Sequence, residues 1–128
     1  MLLSKTSITV SGLVLARGGR GSDGLNTSGV GKGGGGGGGG GIIHLIAPST
    51  PTTTGAQMSV NGGNSGATAS PTGASTTIQN GGAGGACGGF GGFGGSGTVA
   101  SLVTASAGGA GHTITTVDAT PERLVVRS

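Results

Sequence analysis

The chain has 128 residues, of which 35 are glycine and two are aromatic, and its formal net charge is +3. No charged residue occurs between Gly33 and Val117. This composition argues against an ordinary core of large side chains, because burying one contributes about 1.5–3 kcal/mol while ordering each backbone residue costs about 1–2 kcal/mol. The few basic residues also lack the clustering of a nucleic-acid-binding surface. Order must come from dense backbone hydrogen bonding or from association with other chains.

Glycine at this level without a strict triplet order is typical of low-complexity or disordered chains. Such chains are usually rich in charge and poor in β-branched residues. The long uncharged stretch of this chain is instead rich in Val, Ile and Thr. We therefore expect an ordered protein, with a disordered low-complexity chain as the alternative.

The N-terminal sequence MLLSKTSITVSGLVLA has part of the pattern of a signal peptide. It carries Lys5, and Val14 and Ala16 have the spacing of a small-residue cleavage site. Polar residues interrupt its apolar stretch, so we expect it to remain in the protein. No run approaches the roughly 20 apolar residues of a transmembrane helix, and we expect no membrane span.

Short segments rich in Val, Ile and Thr predict β-strands that alternate with glycine tracts. None of them has the periodicity of a helix. We expect one glycine-rich domain over residues 1–128, with a first unit at 7–47, a second at 56–109 and a C-terminal strand segment at 110–128. In chain order, the predicted strands cover residues 7–19, 42–48, 56–63, 76–82, 98–109, 112–117 and 123–126.

Two glycine tracts, Gly33–Gly41 and Gly81–Gly97, are predicted to be structural elements rather than linkers. An extended chain with three residues per turn makes no internal hydrogen bonds, so its buried N–H and C=O groups need partners on neighbouring segments. Glycine rods can approach closely enough to supply them, as polyglycine II helices. The predicted fold class is mainly β and irregular, with short strands alternating with polyglycine II helices and completed by oligomerisation.

The second tract carries bulky residues at a spacing of three. A three-residue turn would place Cys87, Phe90, Phe93 and Ser96 on one face. Phe90 and Phe93 either cover the glycine bundle against the strands or form an exposed contact for a receptor or a neighbouring subunit. They are the candidate contact residues.

The sequence carries no motif that predicts catalysis, a cofactor or a metal. SGVGKGG fails the phosphate-loop pattern, because Asn26 and Gly33 stand where that pattern requires Gly and Ser or Thr. His44 and His112 lack nearby cysteine or acidic clusters and are interpreted as ordinary strand residues. The single ARGGRG at 16–21 is interpreted as a turn with solvated arginines, since RNA-associated proteins repeat such motifs. We therefore expect a protein that is not an enzyme and binds no nucleic acid.

Four motifs together resemble glycine-rich tail and tail-fibre-tip proteins of bacteriophages, over roughly residues 13–109. These motifs are LVLARGGRGSDG, GGGGGGGGGIIHLIAP, MSVNGG and GGAGGACGGFGGFGGSG. The resemblance implies glycine tracts packed as polyglycine II helices, with loops that contact the host surface.

The sequence and the resemblance together predict a non-enzymatic structural protein of a phage virion, in the tail or tail tip, that assembles through its glycine-rich segments. The expected partners are further copies of the chain, other virion tail proteins and a host surface receptor. The alternative is a surface-exposed adhesin or ligand-binding module, either secreted or located at the cell surface.

Overall fold

Short strands, most of them paired in parallel, form the regular part of the fold. The computed structural model describes residues 1–26, 29–72, 77–98 and 101–124. The strands are β1 (Leu2–Leu3), β2 (Leu13–Leu15), β3 (Gly31–Lys32), β4 (Ile42–Ala47), β5 (Gln57–Ser59), β6 (Thr77–Gln79), β7 (Ser96–Thr98), β8 (Ser101–Val103) and β9 (His112–Val117).

The strands form three small sheets. One has the order β1-β4-β9, the second is the pair β2-β5, and the third has the order β3-β6-β7-β8. Every pair is parallel except β6-β7 and β7-β8. Parallel neighbours need long crossover connections, and in this chain glycine-rich segments and loops run through those connections.

The register of the parallel strands continues into the glycine-rich segments beside them. In the pair β2-β5, Leu13 lies opposite Gln57, and further along the Gly18 N–H donates to the Asn61 carbonyl at 2.9 Å. In the pair β4-β9, Ile42 lies opposite His112. The strands therefore fix how the glycine segments are aligned.

Strand β4 supplies most of the apolar core. It lies between β1 and β9, and its side chains at Ile43, Leu45, Ile46 and Ala47 are buried. A strand flanked on both edges can bury side chains on both faces, which suits this continuous apolar run. Among the described residues, Val10 and Ile78 are the other buried hydrophobic side chains.

The structure confirms a mainly β and irregular fold, while the strand predictions vary in accuracy. The prediction at 112–117 matches β9, and β4 lies within 42–48. The prediction at 7–19 was too long, since β2 covers Leu13–Leu15 and Thr9 makes only an isolated bridge to Thr52. The strands predicted at 56–63, 76–82 and 98–109 were also too long, because the strands observed there are the shorter β5, β6 and β8. Residues 73–76, 99 and 100 lie outside the described residues.

The predicted strand at 123–126 was wrong for its first half. Arg123 and Leu124 belong to a 3-10 helix over Pro121–Leu124. Proline favours the first position of a helix because its φ is already helical, and Asp118 accepts a hydrogen bond from the Thr120 N–H just before it. Residues 125 and 126 lie outside the described part.

Within the described residues, the structure contains no helix with the length and apolar character needed to cross a bilayer.

Replacing Leu45 with Ala is expected to destabilise the fold strongly. Leu45 is fully buried in β4, so the change loses apolar contacts and leaves a cavity, at a cost of about 2–5 kcal/mol. Chemical denaturation followed by circular dichroism measures the effect. Leu13→Ala is the matched control, because Leu13 is 60% exposed and should lose less than about 1 kcal/mol. Equal losses would show that β4 is not the core.

Candidate functional site

Six glycine-rich segments hydrogen-bond to one another along their length. We number them in chain order and call the second the central segment, because every other segment bonds to it or to Lys32 immediately before it. The first covers 16–24, the central segment 33–41, the third 60–69, the fourth 79–87, the fifth 89–95 and the sixth 105–111.

With the exception of Gly34, the N–H groups of the central segment point to three neighbouring segments in turn, with a repeat of three residues. The distances from N to O lie between 2.6 and 3.1 Å, and every N–H of this segment has a partner. The fourth segment accepts at Gln79, Gly82 and Gly85 from Gly33, Gly36 and Gly39, and the first accepts at Ser22, Gly19 and Ala16 from Gly35, Gly38 and Gly41. The sixth accepts at Ser106 and Gly109 from Gly37 and Gly40. The remaining N–H, that of Gly34, donates to the Thr68 hydroxyl.

From Gly34 to Gly40, the carbonyl groups of the central segment follow the same repeat but accept backbone hydrogen bonds from only two segments among the described residues. The Gly41 carbonyl accepts from the His112 N–H, where β9 begins. The third segment donates to Gly35 and Gly38 from Gly66 and Gly63, and the fifth segment donates to Gly34, Gly37 and Gly40 from Gly95, Gly92 and Gly89. The carbonyls of Gly33, Gly36 and Gly39 form the remaining set. Among the described residues, no backbone N–H donates to them.

The outer segments also bond to each other and form an incomplete ring around the central one. The first bonds to the third, the third to the sixth, the sixth to the fifth and the fifth to the fourth, for example through Gly21 to Asn64 and Gly84 to Gly92. No backbone bond in the described residues joins the fourth segment to the first. A groove of about 490 Å³ lies there, with Gly33, Gly35 and Gly36 among its lining residues.

Close contact between backbones explains why these segments are built from glycine. A Cβ atom on Gly37 would collide with the Gly63 carbonyl, and one on Gly40 would collide with the Val60 carbonyl. Backbone cannot give way here without breaking the hydrogen bonds that hold the segments together. The glycines therefore act as contact surfaces.

Three glycines in the outer segments have no such explanation among the described residues. A Cβ atom on Gly19, Gly82 or Gly85 would meet none of their atoms within 4 Å. Gly19 belongs to the first segment, and the other two belong to the fourth. These are the two segments that border the groove.

The predicted face of Cys87, Phe90, Phe93 and Ser96 is interrupted by a turn. Gly88 has a φ of 97°, a conformation that suits glycine because it lacks a Cβ, and the chain reverses there. Cys87 is exposed and ends the fourth segment, whereas Phe90 and Phe93 lie on the fifth.

The candidate contact residues Phe90 and Phe93 are both on the surface. They are 71% and 76% exposed. The Phe90 ring lies against the backbone of Gly109, where a Cβ atom would come within 2.6 Å of it. Phe90 thus rests on the sixth segment while most of its surface stays open to solvent.

The carboxylate of Asp23 pairs with an arginine of its own segment and also bonds to the third segment. Arg20 donates to Asp23 at 2.6 Å, and the same carboxylate accepts the Ala67 N–H at 2.7 Å. The hydrogen bond from Arg20, followed by that from Ala67, holds the pKa of Asp23 below its usual value. Arg17 makes a further side-chain link, donating to the Ser59 hydroxyl at 2.8 Å.

The two histidines lie in strands. The His44 Nε2 is 2.7 Å from the Thr116 hydroxyl on the neighbouring strand, and His112 is exposed. The parts of the chain that the structure describes contain no group of three His, Cys, Asp or Glu side chains able to hold a metal ion.

Sequence reasoning found the central segment and the stretch that became the fourth and fifth. It missed the first, third and sixth as members of the bundle. Their signal is glycine at every third position, as in Gly18, Gly21 and Gly24.

No protein-family model, no curated protein and no solved structure matches the chain.

Gly37→Val is expected to abolish cooperative folding or to cost at least about 3 kcal/mol, because the added atoms meet the backbone of the third segment at Gly63 and Asn64. The measurement is denaturation by heat or urea. Gly12→Val is the matched control: a Cβ atom there meets nothing within 4 Å, and the loss should stay below about 0.5 kcal/mol. A Gly37→Val protein as stable as this control would contradict the close packing of the central segment.

Asp23→Asn is expected to lower the melting temperature at neutral pH but not in strong acid. The folded-state pKa of Asp23 lies below its ordinary value of 3.8, so its contribution to stability is full above that value and disappears as pH falls through the lower, folded-state pKa. Melting curves of both proteins from neutral to acid pH test this. A difference that does not narrow in acid would contradict the role of the carboxylate charge.

Proposed function

We propose that the chain is a non-enzymatic structural protein of a phage virion, in the tail or tail tip, which assembles through its glycine-rich segments. The observation that carries the proposal is the central segment, in which nine consecutive glycines are hydrogen-bonded to five neighbouring segments. An element of this kind holds neighbouring backbone segments in place and presents no reactive side chain. These are properties of a structural protein.

We infer that the six segments are polyglycine II helices. The support is the repeat of three in their hydrogen bonds, because an extended chain with three residues per turn directs every third group toward the same neighbour. The close contacts between glycine backbones also fit such packing.

The hydrogen-bonded bundle suits a protein that has to resist mechanical force although its cross-section is small. Many hydrogen bonds lie across the segments, and each contributes a modest net stability of about 0.5–1.5 kcal/mol. Sliding one segment along another would strain many of them together. A tail component needs this resistance to shear when a particle engages its host.

A second candidate function, a surface-exposed adhesin, is favoured by the two phenylalanines. Phe90 and Phe93 are large, apolar and exposed, and exposed apolar residues are common at protein-binding sites. On this proposal they contact a host surface receptor. On the structural proposal they contact a neighbouring tail protein.

The structural proposal is tested by locating the chain in purified phage particles from its source. We expect mass spectrometry to find it in intact virions and in the isolated tail fraction, and antibodies to label the tail in electron micrographs. Finding the chain in culture supernatant or on the cell surface but never in particles would contradict the proposal.

The role of the phenylalanines separates the two candidate functions. In particles that carry Phe90→Ala and Phe93→Ala together, the adhesin proposal predicts normal assembly and slower adsorption to the host. The structural proposal predicts fewer complete tails and normal adsorption by those that form. Leu102→Ala, at a half-exposed leucine elsewhere on the surface, should change neither.

A further inference from the structure

The groove of the glycine bundle occupies the place of one missing neighbour. Around the central segment, the neighbours follow in the order first, third, sixth, fifth and fourth. The backbone N–H groups of the central segment donate to the first, sixth and fourth, and its carbonyls accept from the third and fifth, so donating and accepting directions alternate. The next direction in this alternation is an accepting one. It falls between the fourth segment and the first, where the structure has the groove.

The carbonyls that face this direction are those of Gly33 and Gly36, both of which line the groove. Their position is fixed by the neighbouring backbones. A Cβ atom on Gly21 of the first segment would come within 2.8 Å of the Gly36 oxygen, and one on Gly84 of the fourth would come within 3.0 Å. The Gly36 oxygen thus lies between the two walls. Among the described residues it accepts no backbone hydrogen bond.

The missing neighbour must meet three requirements. It must donate N–H groups at a spacing of three residues, because the open carbonyls recur at Gly33, Gly36 and Gly39. It must be extended. It must also carry glycine or alanine where it meets the central segment, because Gly33, Gly35 and Gly36 line that side of the groove, whereas Arg20, Asp23 and Lys32 are among the residues that line the rest.

The fourth segment of the chain itself meets these requirements. Its sequence from 79 to 87 is QNGGAGGAC, without a charged or bulky aliphatic residue. The N–H groups of Gly82 and Gly85, three residues apart, donate to no backbone carbonyl among the described residues. The first segment is the poorer candidate, because it carries Arg17 and Arg20.

We propose that the fourth segment of a second copy of this chain fills the groove and donates hydrogen bonds to Gly33 and Gly36. This inference rests on the proposed assembly through glycine segments and names the surface that performs it. The groove and the fourth segment lie side by side on each copy. A threefold rotation about an axis parallel to the segments brings each fourth segment into the next groove and keeps donating directions against accepting ones. The assembly therefore closes with three copies, in the closed symmetry common among homo-oligomers.

The exchange accounts for the three glycines that the single chain does not require. In the assembly, the fourth segments of neighbouring copies lie against each other, which brings Gly82 and Gly85 into backbone contact. The inserted segment also lies against the first segment, where Gly19 is located. Each of these positions is open in the single chain and becomes enclosed in the assembly.

The test is Gly82→Leu in the full-length protein. Gly82 lines the groove, and a Cβ atom there meets nothing within the chain, so each copy should fold while the groove contact is blocked. We expect wild-type protein to form a discrete trimer by sedimentation. The dissociation constant of Gly82→Leu should rise on the order of 10–100-fold, with an unchanged circular dichroism spectrum.

Gly12→Leu is the matched control, because Gly12 is equally open but does not line the groove. It should assemble like the wild type. A wild-type protein that stays monomeric and folded would overturn the inference, and so would a Gly82→Leu protein that assembles normally. The inference would also fail if the protein sedimented as a complex with a different glycine-rich polypeptide and not with copies of itself, because the groove would then have another occupant.

Failure of this inference is distinguishable from failure of the proposed function. A chain that is present in virion tails but monomeric when isolated would overturn the exchange alone. A chain that forms a Gly82-dependent oligomer but is absent from particles would overturn the virion proposal alone.

Discussion

The central segment can be enclosed only because no Cβ atom separates its backbone from those around it. Neighbours approach it from several sides, and at Gly33, Gly36 and Gly39 a Cβ atom would collide with the backbone of the fifth segment. This requirement explains an uninterrupted run of glycine in one segment and not in the others. A segment at the edge faces the bundle with one side only, so it needs glycine only at the positions on that side.

The strands and the glycine segments depend on each other. Strand β4 follows the central segment directly and is the main source of buried apolar side chains. By itself it would give a small core for a chain of this length. The glycine segments add hydrogen bonds in place of side-chain burial, and the parallel strands fix their alignment. Ordering so many glycines is costly. In the central segment, the hydrogen bonds of every N–H group and of most carbonyl groups offset that cost.

The sequence allowed a good prediction of the elements but not of their arrangement. The run at 33–41 and the strands β4 and β9 were predictable from composition and periodicity. The first, third and sixth segments were missed because their glycines are diluted by other residues. Their pattern of three, as at Gly63 and Gly66 or Gly108 and Gly111, becomes visible once it is known that only one side of each segment touches the bundle. The groove could not be predicted, since it depends on which segments become neighbours. The reversal at Gly88 could not be distinguished from a straight tract, because the glycine there stands among many others.

Because the segments share a repeat of three residues, the direction of each N–H group depends on the number of residues that precede it in its segment. Adding or removing one residue in the central segment would turn every following N–H toward the wrong neighbour, whereas a change of three residues would restore the direction and alter only the length. The fold can therefore be extended or shortened in whole turns, provided the neighbouring segments change with it. Length variation in such a protein should follow multiples of three within the segments, and should be unrestricted in the loops that connect them.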